Sequence, residues 1–346
     1  MVLEEEGELP LKQPSVKLLL KVVFTALLLA VIVWQLGGLA EVGTLMRGIN
    51  PWYVVVLLLF NTADRALMTF KWAWLLRGRG VHLPFLRGMR IYCASMIWGM
   101  FLPATMGADV IRAVKTSAIG LNSHEIVASI VIERMLGFLA SLLCGLVGLV
   151  LLSFFSGVDG RFDFLWWLGG AALLGTVILF AASFTQRVYD FLHHHLLYRF
   201  RHQKIMEKFR QFHSTYRAYR EHKRSLATFF GLTLIEQLGP MLHSWLVAQS
   251  LGIDVGLPFI AGAVPLALLI SRIPISIGGY GVYDGVFILL MSLAGVHATE
   301  AISISLVGRL METGAWLPWW LTDVVGNRSL RLARPFAERT EERVAS

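Results

Sequence analysis

The sequence predicts an all-α polytopic membrane protein made of two inverted repeats, each of three transmembrane helices plus one broken, re-entrant helix pair. Three observations lead there. The chain is 56% hydrophobic and 16% charged with a mean hydropathy of +0.63, whereas soluble domains run nearer a quarter charged. Apolar stretches of span length recur along it, and the surplus Lys and Arg lies in the connections between them, as expected for cytoplasmic loops. The step from Pro103 to Gly107 is also echoed by the step from Pro274 to Gly278. Broken helices at matching positions in two halves point to a transporter-type site near the bilayer midplane.

Residues 1–15 open with Glu4, Glu5 and Glu6, carry Pro10 and Pro14, and read as a cytoplasmic tail. The apolar run 16–36 follows Lys12 and holds Lys17 and Lys21; it is too long for a signal-peptide core and lacks a small-residue cleavage site, so it reads as an anchor helix. Pro51 starts a second span to about residue 76, with Asp64, Arg65 and Lys71 inside it. The connection 77–90 holds four arginines and no acid, which marks it as cytoplasmic. Residues 91–106 and 107–120 are short apolar pieces around the Pro103/Gly107 break, 124–155 is a full span, and 156–163 is an outer loop.

The span 164–184 opens on Trp166 and Trp167, residues suited to an interface. The polar segment 186–224 holds ten Lys or Arg against three acids and reads as a basic cytoplasmic loop; Phe191, Leu192 and Leu196 give it an apolar side that can lie on the inner leaflet. Residues 228–251 form a span kinked at Gly239-Pro240, 257–277 and 281–296 flank the Gly-rich SIGGYG, and 300–325 is the last span. From residue 327 an arginine-rich tail is again cytoplasmic. The chain thus divides into tails 1–15 and 327–346 and one transmembrane domain 16–326, with repeat one at 16–155 and repeat two at 164–326. Both termini come out cytoplasmic, in a multi-pass protein of the cell membrane.

The net charge of +8 raises nucleic acid as a partner, but the basic residues cluster at span ends, where they suit anionic lipid headgroups. Cys93 and Cys144 sit in apolar stretches as packing residues. The triplet His193, His194 and His195 has no HxxxH pattern or cysteine partner, so neither a metal nor another cofactor is expected.

Ionisable side chains at membrane depth are costly and mark function by default. The stretch from Pro103 and Gly107 brings Asp109 and Arg112, three apart and on one helix face. Arg112 either grips a phosphate, helped by the free N–H groups of the helix start, or snorkels to the inner surface. Glu133 and Arg134 sit inside the next span, about 100° apart around the helix and so not natural partners. The second half supplies Arg272, Gly278, Gly279, Tyr280, Gly281, Asp284, Arg309 and Glu312, and Arg309 and Glu312 are spaced to pair with each other. An inverted repeat would bring Arg134 and Arg309 into one central cavity. Asp64 and Lys71 share a helix face with Arg65 turned away, and serve as a charge relay or as substrate contacts. Glu236 and His243 flank the Gly239-Pro240 kink and can carry a proton.

The residues LPATMGADVIRA followed by IVIERMLGFLA, and IPISIGGYGVYDG followed by GRLMETG, resemble the lysylphosphatidylglycerol synthase transmembrane, or flippase-like, family of integral membrane proteins. The resemblance covers nearly the whole chain. The family's second motif places an Arg-Glu pair where Tyr283-Asp284 stands here, which keeps the acid and loses the base. Members with a soluble aminoacyltransferase domain add amino acids to phosphatidylglycerol and flip the product. For this chain the resemblance implies the lipid-translocating half without the synthase half.

The leading expectation is therefore a transporter or flippase of an anionic or amphiphilic lipid: a phospholipid, or an aminoacyl- or polyprenyl-phosphate-linked lipid. The alternatives are a membrane-embedded glycosyl- or acyltransferase, which would need a DxD or HxxxxD-type pattern that no loop contains, and an accessory subunit bound to a lipid-modifying enzyme.

Overall fold

A computed structural model describes Thr44 and residues 47–100, 107–155, 163–185, 203–272 and 281–344. The anchor run 16–36, the amphipathic and histidine-rich part of the basic loop, and the site candidates Pro103, Gly278, Gly279 and Tyr280 lie outside these residues.

The described residues form helices and one short 3-10 turn, with no strand. The first helix, α1 (Pro51–Arg77), starts where Asn50 accepts a hydrogen bond from the Trp52 amide at 2.9 Å and where Pro51 has no N–H to leave unsatisfied. Its 27 residues reach about 40 Å at 1.5 Å per residue, enough to cross a bilayer. A turn leads to α2 (Phe85–Met100), which begins six residues ahead of the expected piece and takes Arg87 and Arg90 onto a helix. Then come α3 (Gly107–Ala118), α4 (Ser123–Phe155) and α5 (Asp163–Ser183). By length and composition α1, α4 and α5 are long and apolar enough to span a membrane. The outer face of α5 carries Phe164, Trp167 and Leu179 at 73%, 81% and 66% exposure, an apolar surface suited to lipid.

The second half of the chain has α6 (Gln203–Ala218), the 3-10 turn Tyr219–Glu221, α7 (Lys223–Glu236), α8 (Leu238–Ser250), α9 (Leu257–Ser271), α10 (Val282–Ser292) and α11 (Ala298–Val344). The helix pair α7–α8 bends at Gln237 rather than at Gly239-Pro240, because Pro240 has no N–H to give the carbonyl four residues earlier, that of Glu236. The expected last span extends further: α11 runs as one helix from Ala298 through the arginine-rich tail to Val344.

The order α1 to α4 is repeated by α7–α8 to α11. Ser123 and Ala298, which open α4 and α11, lie 175 positions apart (298 less 123), as do Asp109 of α3 and Asp284 of α10 (284 less 109). This register sets Gly107 opposite Val282, four positions from the pairing with Gly278 that the Pro-to-Gly steps imply. The two halves lean on each other. Helix α9 packs on α4 of the first half, and α2 packs on α11 of the second. The α4–α9 contact is close because both sides are glycine: a β-carbon on Gly148 would lie 2.7 Å from the Gly262 carbonyl oxygen. Around it Leu149 and Leu152 meet Phe259, Ile260 and Ala263 in the main core. Met89, Cys93 and Ile97 of α2 meet Ala315 and Trp316 of α11 in a smaller one.

Candidate functional site

The charged residues singled out inside the spans gather around two neighbouring cavities, of about 140 and 240 Å³. Helix α1 serves both, presenting Asp64 and Arg65 to the larger and Met68 and Lys71 to the smaller one turn later. The bend at Gln237 does the same, with Glu236 and Gln237 facing the smaller cavity and Gly239, Pro240 and His243 the larger.

In the smaller cavity Asp109 lies in the first turn of α3 and holds two arginines. Arg134 approaches it from α4 at 2.6 Å and Arg112 from one turn on at 3.2 Å. Arg112 is only 2% exposed; its guanidinium lies between the Trp72 and Tyr92 rings at 4.7 and 4.8 Å and meets Glu133 at 2.9 Å. It does not snorkel: two carboxylates and two aromatic faces compensate its charge within the protein. Tyr92 also donates to Glu133 at 3.2 Å. Lys71, 2% exposed, pairs with Glu236 and donates to Thr233 at 3.2 Å.

Arg272 completes the cavity from the end of α9. Its Nη2 donates to Ser141 Oγ at 2.8 Å, and Gln237 donates to the same hydroxyl at 2.9 Å. Among the described residues no carboxylate comes within ion-pair range of Arg272, and the lining holds four cations, Lys71, Arg112, Arg134 and Arg272, against Asp109, Glu133 and Glu236. The surplus of one positive charge sits with Arg272 and with Arg134, whose side chain is 48% exposed. Such a site suits an anion, and the planar guanidinium fork suits a phosphate.

Beside the larger cavity, buried behind its lining residues Ser305 and Arg309, Asp284 plays the part of Asp109. Its Oδ2 accepts from the Gly281 amide at 2.9 Å, and its Oδ1 accepts from Arg309 at 2.8 Å and from the Ser305 hydroxyl. Gly281 has φ of 78°, a left-handed conformation that glycine adopts freely and that ends any helical continuity before α10. Arg309 lies over the Tyr283 ring at 5.7 Å.

Several expected pairings come out differently. Arg134 and Arg309 do not share one cavity: each is held by the aspartate of the short helix that precedes it, Asp109 or Asp284. Arg309 pairs with Asp284 rather than Glu312, which instead stands 3.7 Å from Arg65. Arg65 is not turned away from Asp64 but grips it at 2.5 Å, because its long side chain folds back along the helix. Lys71 therefore has a different partner, Glu236. Glu236 and His243 open into different cavities, since the bend falls between them. The expectation that Glu133 and Arg134 are not partners agrees with their contacts. Trp72, Tyr92, Ser141, Thr233, Gln237 and Ser305 were not singled out in the sequence, because isolated aromatic, hydroxyl and amide residues in apolar runs give no spacing signal.

Residues 18–318 match the model of the lysylphosphatidylglycerol synthase transmembrane region. The chain belongs to this family. It is an integral membrane protein of the same class as its relatives. One of these is a UPF0104 membrane protein of Methanothermobacter thermautotrophicus, 23% identical over 316 residues that cover 84% of this chain and 88% of the relative. The matched region contains both cavities and both Asp–Arg pairs.

Proposed function

We propose that this chain is a transporter or flippase that moves a phosphate-bearing lipid across the cytoplasmic membrane, with the headgroup docking at Arg272 and Arg134. The observation that carries the reading is the cavity's surplus cation: Arg272 has only neutral partners among the described residues, beside an Arg134 whose side chain is 48% exposed. An uncompensated charge at that depth is costly unless an anion meets it. Lys71, Arg112, Glu133 and Glu236 then act as the scaffold that holds the cavity's shape. The acyl tails would stay in the bilayer, so no aqueous pore is needed.

The same reading makes the two halves an inverted repeat, with α2–α3 and α9–α10 as the paired broken helices. The equal register of α3–α4 and α10–α11 and the reciprocal packing of α2 on α11 and α9 on α4 support it. By the Lys and Arg bias, loops 77–90 and 186–224 and both termini would be cytoplasmic. A lipid-modifying enzyme that makes the substrate is a natural partner.

The test is reconstitution of the purified chain into vesicles with headgroup-labelled phosphatidylglycerol and with a labelled zwitterionic control. Arg272→Gln should abolish movement of the anionic lipid while leaving the protein folded. Arg272→Lys should impair it too, because an ammonium cannot reproduce the fork. Unchanged transport in Arg272→Gln would remove the headgroup site.

A further inference from the structure

The charges around the larger cavity are distributed differently. Among the described residues its lining sets Arg65 and Arg309 against Asp64 and Glu312, and Asp284, buried behind the lining residues Ser305 and Arg309, already holds Arg309. Asp64 holds Arg65 at 2.5 Å and Asp284 holds Arg309 at 2.8 Å, whereas Glu312 reaches only to 3.7 Å from Arg65, beyond hydrogen-bond length. One carboxylate at membrane depth thus lacks a counter-charge of its own.

His243 of α8 lines the same cavity. Both its ring nitrogens are buried and make no hydrogen bond of good geometry among the described residues; the Gly308 backbone lies beside the ring, where a β-carbon would come 2.9 Å from Nε2. The charged groups acting on the imidazole are Glu312 of α11 and Asp64 and Arg65 of α1. Farther around the wall stand Arg309 of α11 and Tyr283 of α10, while α9 contributes Leu268 and Ser271 and no charge.

We infer that the cavity between α1, α8 and α11 is a proton-exchange site in which His243 and Glu312 take up one proton and release it again. A proton arriving from water adds to a ring nitrogen of His243, and the imidazolium then supplies the counter-charge that Glu312 lacks. Loss of that proton to water restores the starting state, with no electron moved and no other bond changed. A sodium ion fits less well, since it needs several oxygen ligands and here would face two guanidinium groups and an imidazole nitrogen. Because α1 and the bend at Gln237 wall both cavities, a charge change in one bears on the other. The proton is therefore the driving ion for lipid movement, a step that rests on the proposed function, whereas proton binding itself does not.

Two measurements separate these claims. Infrared difference spectra of the full chain in lipid nanodiscs, taken between about pH 5 and pH 8 where an imidazole titrates, should contain a ring band that is lost in His243→Gln and in His243→Asn and displaced in Glu312→Gln. Bands unchanged in all three variants overturn the site. In vesicles, an imposed pH gradient should change the initial rate of labelled phosphatidylglycerol movement severalfold in the wild type and have no effect in His243→Gln. A titrating His243 without a gradient effect overturns the coupling, and stimulation by a sodium gradient at equal pH overturns the choice of proton. A titrating His243 in a wild type that moves no lipid supports the proton site and overturns the lipid reading.

Discussion

Asp109 receives Arg134 from a position 25 residues later in the chain, and 175 positions on (284 less 109) Asp284 receives Arg309 across the same interval of 25. In both halves an aspartate in the first turn of a short helix pins an arginine inside the longer helix that follows, fixing the angle between the two. Removing only the carboxylate takes away this ion pair. Asp109→Asn and Asp284→Asn should each lower the thermal unfolding midpoint in detergent, by a loss of about 1–3 kcal/mol. Asp109→Asn combined with Arg134→Gln should recover most of that stability. A double variant no more stable than the single one would mean that the pair does not act as a unit.

The partners of the acids make a sharper test than neighbours in sequence. Glu133→Gln with Arg134→Gln should not restore expression lost in either single change, because Glu133 serves Arg112 and Tyr92 while Arg134 serves Asp109. Glu133→Gln should lower folded yield by itself, since Arg112 is 2% exposed and would keep only one of its two carboxylates, Asp109. Size-exclusion profiles of fluorescently tagged variants would report this directly.

Helix packing between the halves is checked at Gly148. Alanine there would bring a β-carbon to 2.7 Å from the Gly262 carbonyl oxygen, so α4 and α9 would have to separate. Overpacking of this kind costs roughly 1–3 kcal/mol. Gly170→Ala, where a β-carbon meets nothing within 4 Å, should be neutral in the same thermal assay. Equal effects at the two positions would contradict the close approach.

A third cluster joins the connections on one side. Arg79 grips Glu125 through two contacts, at 2.9 and 3.3 Å, lies over the Tyr219 ring at 5.6 Å, and comes within 3.4 Å of His222. Burial, reinforced by Glu125, raises the Tyr219 hydroxyl above its ordinary pKa, so the ring beneath the guanidinium stays neutral. Arg79→Ala should raise the protease sensitivity of the α6–α7 connection, and Arg79→Lys should restore it only in part, because the two-pronged grip on Glu125 is lost.

Orientation is open to labelling. In a background lacking Cys93 and Cys144, a cysteine at His82 should react only from the cytoplasmic side. Cys93 is fully buried between α2 and α11, so its replacement should be Ala or Ser rather than a larger residue. Labelling of the His82 position from outside would reverse the topology.

Much of the helix order could be read in the sequence because span length and basic connections are imposed by the bilayer itself. Positions 51, 123 and 257 fall within a residue of the expected starts. The charged residues were also visible, since Asp109, Arg134, Asp284 and Arg309 interrupt apolar runs. What spacing could not supply was their partners. Lys71 meets Glu236 across 165 positions and Arg272 meets Ser141 across 131, contacts set by how separate helices are brought together. The kink expected at Gly239-Pro240 shows as a helix interruption at Gln237, because the effect of the proline falls on the carbonyl it leaves without a donor.

The crossed packing of the halves bears on how the chain is made. The aromatic contact that seats α2, Trp98 against Trp320 at 5.9 Å, joins residues 222 positions apart (320 less 98). During synthesis the first hairpin enters the bilayer with Asp109, Arg112 and Arg134 already aboard, long before α11 has left the ribosome. Until then α2 has no α11 to lie against, and before α7 and α9 follow, the smaller cavity lacks Thr233, Glu236, Gln237 and Arg272 from its wall. An insertase or another membrane chaperone is what would shelter that half-built intermediate, and C-terminal truncation within α11 should strand it for degradation.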